Sequence, residues 1–232
     1  PLWYEAYPGS IVDISQLHSA LQKVDGLGYK RIGFILDRGY FSKENIHEMD
    51  RMGYDFIIMM KGKKVLVSDL VMEVKGIFEE DRRCSIRDYK VSGTTVKRQL
   101  YPSDEKERYF HIYYSESKRI TEREHLEAKI NQLGELLREK QGTIGYECPR
   151  AICEYFDPVY HTKGDVKTFV SARERTDVIN REIALCGYFV IITSEKMTAE
   201  EALEEYKSRD ASEKLFRGDK SYLGNRSYRV HS

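Results

Sequence analysis

Four residues near the end of the chain have side chains and spacing suited to chemistry on phosphates. They lie in YKSRDASEKLFRGDK at successive intervals of three, four and seven residues, and they are Tyr206, Arg209, Glu213 and Lys220. Such intervals place them on one face of a helix, together with the apolar Ala202. Arginine and lysine bind phosphate oxygens, and a glutamate between them could bind a metal ion. The alternative is a solvated helix on which Arg209 and Glu213 form an ordinary surface pair.

A further candidate, Asp37, comes directly after the apolar run RIGFIL and is followed by Arg38 and a glycine. In open α/β sheets, functional groups collect at the carboxyl ends of strands, which is the position of Asp37. Position alone also allows an aspartate that caps a turn or pairs with Arg38. Asp37 and Glu213 together could hold a divalent cation between a strand and a helix. Oxygen ligands favour Mg²⁺ or Mn²⁺, the ions of two-metal phosphoryl transfer.

The segments around this aspartate predict a strand, a helix and a second strand. The apolar run over 32–36 is typical of a strand covered on both faces. Ser42 caps a predicted helix over 43–52, and Gly53 ends it before the apolar run at 54–61. This order predicts a βαβ unit in a mostly parallel sheet.

The middle of the chain has a different pattern, because the strand–helix rhythm stops near Lys64 and resumes near Gly187. Alternating, turn-rich sequence replaces it, which indicates an inserted β region. Thr198 and Glu201 have capping-box spacing and predict the start of the last helix. The predicted elements are hairpin strands within 85–117, a helix over 121–140, a helix over about 171–184, a strand over 187–194 and a helix from 199 onward.

With these residues in view, the chain resembles the DDE-type transposases of bacterial insertion sequences. It resembles in particular the group marked by a Tyr-(2)-Arg-(3)-Glu-(6)-Lys signature, which Tyr206, Arg209, Glu213 and Lys220 match at every position. The similarity also covers DRGYFS at Asp37, PGSIVDISQL before it and the terminal DKSYLGNRSYRVHS. It therefore spans nearly the whole chain.

The resemblance implies an α/β fold, with a ribonuclease-H-like mixed sheet flanked by helices. It also implies a β-rich insertion between the second and third acidic residues, in agreement with the interrupted rhythm of the sequence. We therefore expect three segments. They are the first part of the core over 1–64, an insertion of β hairpins and helices over 65–186, and the final strand and glutamate-bearing helix of the core over 187–232.

The activity implied by the resemblance is metal-dependent cleavage of DNA and strand transfer of an insertion sequence. The implied cofactors are two Mg²⁺ or Mn²⁺ ions, with Asp37 and Glu213 as catalytic metal ligands. The implied partners are transposon ends and target DNA, bound by a homodimer that assembles on DNA. The residues expected to bind DNA are Arg38, Tyr206, Arg209 and Lys220.

One acid that the resemblance requires, a first aspartate on the first strand, has no clear match. Asp13 follows the first predicted strand and opens a helix, so it reads as an N-cap, and Glu5 is of the wrong type. We expect the first acid upstream of Pro1, which would make the chain a catalytic fragment with little activity by itself. Two alternatives stay open: a non-catalytic remnant that binds DNA ends, and an unrelated α/β domain without catalysis.

Composition limits these functions only weakly. Lysine plus arginine equals aspartate plus glutamate at 38 each, so any attraction to DNA must be local. The four cysteines form no CxxC pair, and no apolar run is long enough to span a bilayer, so we expect a cytoplasmic protein that joins the nucleoid when bound to DNA. His47 and His111 read as surface-helix and strand-face residues. The middle region offers a possible DNA track of basic residues and tyrosines, with packing on a half-exposed sheet as the alternative for the tyrosines. The residues are Lys90, Lys97, Arg98, Lys118, Arg119, Tyr89, Tyr101, Tyr109 and Tyr113.

Overall fold

The computed structural model describes residues 17, 21–23, 26, 33–61 and 65–208. The chain divides into two compact units. The first contains residues 1–114 and 189–232, and the second contains residues 115–188. Within the described ranges, no helix has the length and apolar character needed to cross a membrane.

Eight strands are present in the described chain, and six of them form one mixed sheet. The strands are β1 (Gly33–Leu36), β2 (Asp55–Met59), β3 (Ser85–Ile86), β4 (Val91–Gln99), β5 (Glu107–Tyr114), β6 (Phe156–Lys163), β7 (Val166–Glu174) and β8 (Tyr188–Thr193). The sheet has the order β1-β2-β8-β5-β4-β3. β1 and β2 are parallel, whereas β2 with β8, β3 with β4 and β4 with β5 are antiparallel. The predicted β1 and β2 strands and the predicted hairpin are confirmed.

Within residues 33–61 and 65–208, six α-helices flank or connect these strands. They are α1 (Lys43–Met52), α2 (Val65–Val74), α3 (Glu116–Glu139), α4 (Arg150–Cys153), α5 (Thr176–Leu185) and α6, which covers 199–208. α1 begins and ends where the sequence predicted. The Ser42 hydroxyl accepts from the Asn45 N–H, and Gly53 closes the helix with a left-handed φ of 70°.

The core of the first unit is deepest at β2. Phe56, Ile57 and Ile58 are all buried, and alternate residues of a strand point to opposite faces, so β2 is covered on both sides. β1 was expected to be covered in the same way, but its residues are only half-buried or exposed. Among the described strands β1 pairs only with β2, so it is the edge of the sheet that the described residues form.

The second unit has a core of its own. α3 places Leu126, Ile130 and Leu137 against the β6–β7 hairpin, where Phe156 and Phe169 are buried. α3 begins five residues before its predicted start, because the Ser115 hydroxyl caps it. The stretch from residue 171 was predicted to be helical, but residues 171–174 belong to β7 and pair with β6. The helix starts only at Thr176.

Candidate active site

Asp37 lies just beyond the C-terminal end of β1, and its side chain is exposed. It caps one 3-10 turn formed by Arg38–Tyr40, and its carboxylate accepts a hydrogen bond of 2.6 Å from the Arg38 N–H. The Tyr40 N–H donates to the Asp37 carbonyl at 3.0 Å. The turn-capping role that the sequence allowed is thus present. A carboxylate has about four lone-pair sites, so capping is compatible with metal binding by the same side chain.

The turn after Asp37 is fastened to α1. The buried Asn45 side chain donates from Nδ2 to the Tyr40 carbonyl at 2.9 Å, and the Asn45 N–H donates to the Ser42 hydroxyl at 3.1 Å. Phe41, which lies between Tyr40 and Ser42 in the chain, is buried. Asp37 therefore stands on a rigid strand–turn–helix frame, as a residue with a geometrically demanding task requires.

The helix that opens the Tyr206 signature begins at the predicted capping box. The Glu201 N–H donates to the Thr198 hydroxyl at 3.1 Å, and the Thr198 N–H donates to Glu201 Oε2 at 2.7 Å. The bonds from Thr198 lower the pKa of the Glu201 carboxyl. Ala202 and Tyr206 are buried, so this face of α6 points inward over its described part, which ends at residue 208.

Tyr206 is 3% exposed and belongs to a cluster with Ile57 of β2, to which Ile35 of β1 also contributes. α6 therefore packs on the face of the sheet to which Ile57 of β2 and Ile35 of β1 contribute. β1 is the strand that precedes Asp37. The ring of Tyr206 is a core group, and contact between Tyr206 and DNA stays a prediction.

The other signature residues, Arg209, Glu213 and Lys220, lie outside the described residues, so their roles also stay predictions. Within the described ranges, no group of three or more His, Cys, Asp or Glu side chains could hold a metal ion. The fit to Mg²⁺ rests on the chemistry of Asp37, whose exposed carboxylate is the hard oxygen ligand that this ion prefers. Arg38 is exposed beside it.

The basic residues of the possible DNA track are mostly ion-paired. Tyr113, which was grouped with them, is fully buried, stacks on Phe189 at 4.8 Å and donates its hydroxyl to the Ala199 carbonyl at 2.7 Å. Burial raises the pKa of Tyr113, and this tyrosine is a packing residue. The ion pairs are Lys97–Glu107 at 2.8 Å, Arg98–Glu73, Lys118–Glu122 and Arg119–Glu116.

His111 is the centre of a buried set of hydrogen bonds that the sequence did not reveal. Its Nδ1 lies 2.9 Å from the Thr95 hydroxyl, and its Nε2 lies 3.0 Å from the Thr193 hydroxyl. Burial lowers the pKa of His111 to about 4. The alternation of ERYFHIYY places His111 and Tyr113 on one face of β5, which was the available signal. Its hydrogen-bond partners come from other strands, and the sequence contained no signal for them. His47 lies on the helix surface as predicted, 3.0 Å from Asp104.

Comparison with protein-family models matches residues 1–231 to the family described as "Transposase DDE domain". No curated protein and no solved structure shows significant similarity to the chain. The mixed sheet with flanking helices is consistent with the ribonuclease-H-like fold implied by the resemblance.

Proposed function

The chain belongs to the transposase DDE domain family, and from this premise we propose that it is the catalytic domain of a DNA transposase. Its reaction would be cleavage of DNA strands at the ends of an insertion sequence and their transfer to target DNA. The observation that carries the proposal is the fixed position of Asp37 at the end of β1. Family membership rules out the alternative of an unrelated α/β domain.

Asp37 and Glu213 would be the two acids of this chain that hold divalent cations. Bound Mg²⁺ or Mn²⁺, as a pair, would activate the attacking hydroxyl and stabilise the leaving oxygen. The turn at Arg38–Tyr40 would keep the Asp37 carboxylate in place without a conformational change. The chemistry needs a further carboxylate, which we do not assign to any residue of this chain. A chain without it would be nearly inactive.

The cationic side chains would position the DNA. Arg38, exposed beside Asp37, would bind a phosphate next to the bond that is cut. Arg209 and Lys220 would bind transposon-end phosphates, each as a charge-assisted donor. Tyr206 would first pack α6 against the sheet, because its ring is buried there. DNA ends would be held by a homodimer assembled on them.

We also propose that residues 65–186 are the insertion between the second and third acids. Two findings support this. The segment contains the β4–β5 hairpin and all but the last two residues of the separate unit at 115–188. The sheet of the first unit continues from β2 into β8, the strand that leads to α6.

The test is nicking of supercoiled DNA by the full-length protein with Mg²⁺ or Mn²⁺. Asp37→Asn and Glu213→Gln keep the side-chain size but remove the charged ligand, so each should slow nicking at least about a hundredfold. Asp69→Asn is the matched control, because Asp69 is an exposed aspartate of α2 with no role in the proposed site. Chelation of the metal should stop nicking by the wild type.

The remaining alternative is a non-catalytic remnant that binds DNA ends. It predicts DNA binding without nicking, and equal binding by the wild type and Asp37→Asn. That pair of results would overturn the catalytic proposal. Nicking that persists in both acid variants would overturn the site assignment instead.

A further inference from the structure

The hairpin of β6 and β7 ends in a tight and rigid turn. Lys163 pairs with Val166, so the loop has only two residues, Gly164 and Asp165. Gly164 has a φ of 61° at the first loop position, as in turns that match the twist of the two strands. The end of this ribbon, residues 161–168 with residue 144 beside it, is called the hairpin tip below.

One face of the hairpin tip exposes apolar side chains. Ile144 forms a β-bridge to Thr168, and Thr168 pairs with His161. Two residues nearer the turn, Val166 pairs with Lys163. Paired residues, and residues two apart on one strand, share a face of a sheet. Ile144 is 70% exposed and Val166 is 48% exposed, so this face presents two exposed β-branched side chains.

The opposite face anchors the tip and carries a second cation. The Lys167 ammonium lies 4.0 Å from the centre of the Tyr160 ring, and that ring packs edge-on against the buried Phe169. Lys163 and Lys167 therefore project from opposite faces of a ribbon that is fixed to the core of its unit.

These two lysines differ in charge balance from most of the cations described above. Lys97, Lys118 and Arg119 are ion-paired, whereas in the described part of the chain neither Lys163 nor Lys167 forms an ion pair. Between residues 161 and 168 the acidic residue is Asp165, in the turn itself. The tip is thus the exposed end of a hairpin that carries apolar groups and two lysines without ion pairs, with a net positive charge.

We propose that the hairpin tip enters the major groove of duplex DNA. The major groove is about 12 Å wide and admits a two-stranded ribbon, and each of its walls ends in a row of phosphates. Lys163 and Lys167 on opposite faces then reach opposite phosphate rows. Ile144 and Val166 contact base edges, where thymine methyl groups offer apolar partners. The inference rests on the proposed function for the choice of DNA as ligand.

The first experiment measures how duplex binding by the full-length protein depends on KCl, without divalent ions so that no cleavage occurs. Each phosphate contact contributes about 0.9 to the slope of log affinity against log salt, so Lys163→Ala should reduce the slope by about one contact. Lys163→Arg should restore it. Arg123→Ala removes the same charge from the same unit, but at an ion-paired position on α3, and should leave the slope unchanged.

The second experiment tests the apolar face. Val166→Ser and Ile144→Ser change exposed residues, so the fold should persist, and each should weaken binding about tenfold at an unchanged salt slope. A duplex with uracil in place of thymine should bind the wild type more weakly and should reduce the effect of both serine variants.

Three outcomes would overturn the inference. The first is an unchanged slope with Lys163→Ala and unchanged affinity with both serine variants, which would leave a protein as the occupant of the tip. The second is an equal loss with Arg123→Ala. The third is equal binding of the uracil and thymine duplexes, which would exclude contact with thymine methyl groups in the major groove. DNA binding that depends on the tip, without any metal-dependent nicking, would overturn the proposed function but not this inference. The binding measurements involve no cleavage, so the two results are independent.

Discussion

At the scale of single residues, His111 shows how burial and hydrogen bonding fix one state of a titratable group. Thr193 donates its hydroxyl hydrogen to the Glu195 carbonyl at 2.7 Å, so this hydroxyl accepts from His111 Nε2–H. Nδ1 then carries no hydrogen and accepts from the Thr95 hydroxyl. The imidazole is neutral, and it joins β4, β5 and β8 by donated and accepted bonds.

This arrangement predicts a loss of stability in mild acid. The pKa of His111 is about 4 in the folded chain. In the unfolded chain it returns to about 6.5, so the unfolded state takes up the proton first as the pH falls. The contribution of neutral His111 to the free energy of unfolding is fully present above about pH 6.5. It is lost as the pH falls between the two pKa values, for a total of about 3 kcal/mol. Denaturant unfolding at several pH values should show a shallower pH dependence for His111→Gln than for the wild type.

The exposed His47 supplies the control for this measurement. Its side chain is 45% exposed, so His47→Gln is the same substitution without the burial and should keep the wild-type pH dependence. If His111→Gln and His47→Gln behaved alike, the buried hydrogen-bond chain would not be the source of the acid sensitivity.

Individual site residues were predictable only where the local sequence determines their position. Asp37 follows an apolar strand, and Ala202 and Tyr206 share a helical stripe, so the strand end and the inward face could be read from spacing. Tyr113 was grouped with exposed tyrosines, although it is fully buried. Its burial depends on Ala199 and Phe189, which are far away in sequence, so local alternation could not distinguish it from Tyr109.

At the scale of elements, the contact between α6 and the sheet depends on a glycine. A Cβ atom at Gly93 would lie 3.0 Å from the Ala199 Cβ, 3.0 Å from Ile86 Cδ1 and 3.1 Å from Tyr113 Cδ1. Nearly all real Cβ contacts are longer. The start of α6 can lie directly on β4 only because residue 93 has no side chain.

Gly93→Ala should therefore displace α6 and destabilise the first unit, by about 1 to 3 kcal/mol as for other overpacked cores. Thermal or denaturant unfolding measures the change. Gly134→Ala is the matched control, since its Cβ would meet only Phe156 at an ordinary 3.8 Å. Alanine is favoured over glycine within α3, so the control should be neutral or stabilising by up to about 1 kcal/mol. Equal destabilisation by both changes would contradict the packing argument.

Elements with strong local signals were predicted well. α1 has a serine cap and a terminal glycine, and α6 has a capping box, and all of these signals act within four residues. The stretch at 171–174 lacked such a signal, and its β structure depends on pairing with β6. A short stretch of mixed residues allows a helix or a strand until its partner is known.

At the scale of the whole molecule, the sheet order and the two-unit division could not be derived from the sequence. β8 follows β2 in the sheet although more than a hundred residues separate them in the chain. No local pattern specifies such a pairing. The sequence placed the long α3 in one insertion with β4 and β5 and did not predict the β6–β7 hairpin, whereas α3 and this hairpin enclose a core of their own.

Two separate cores predict two separable unfolding events. Phe169 is fully buried in the second unit and contacts the rings of Tyr146 and Tyr160, so Phe169→Ala should cost that unit about 3 to 5 kcal/mol. Hydrogen exchange followed by mass spectrometry should then show faster exchange in peptides from 116–139 and 156–174, with little change in 91–114. Phe110→Ala, at a fully buried position of β5, should give the reverse pattern. Equal acceleration of all these peptides in either variant would mean that the chain unfolds as one cooperative body despite its two cores.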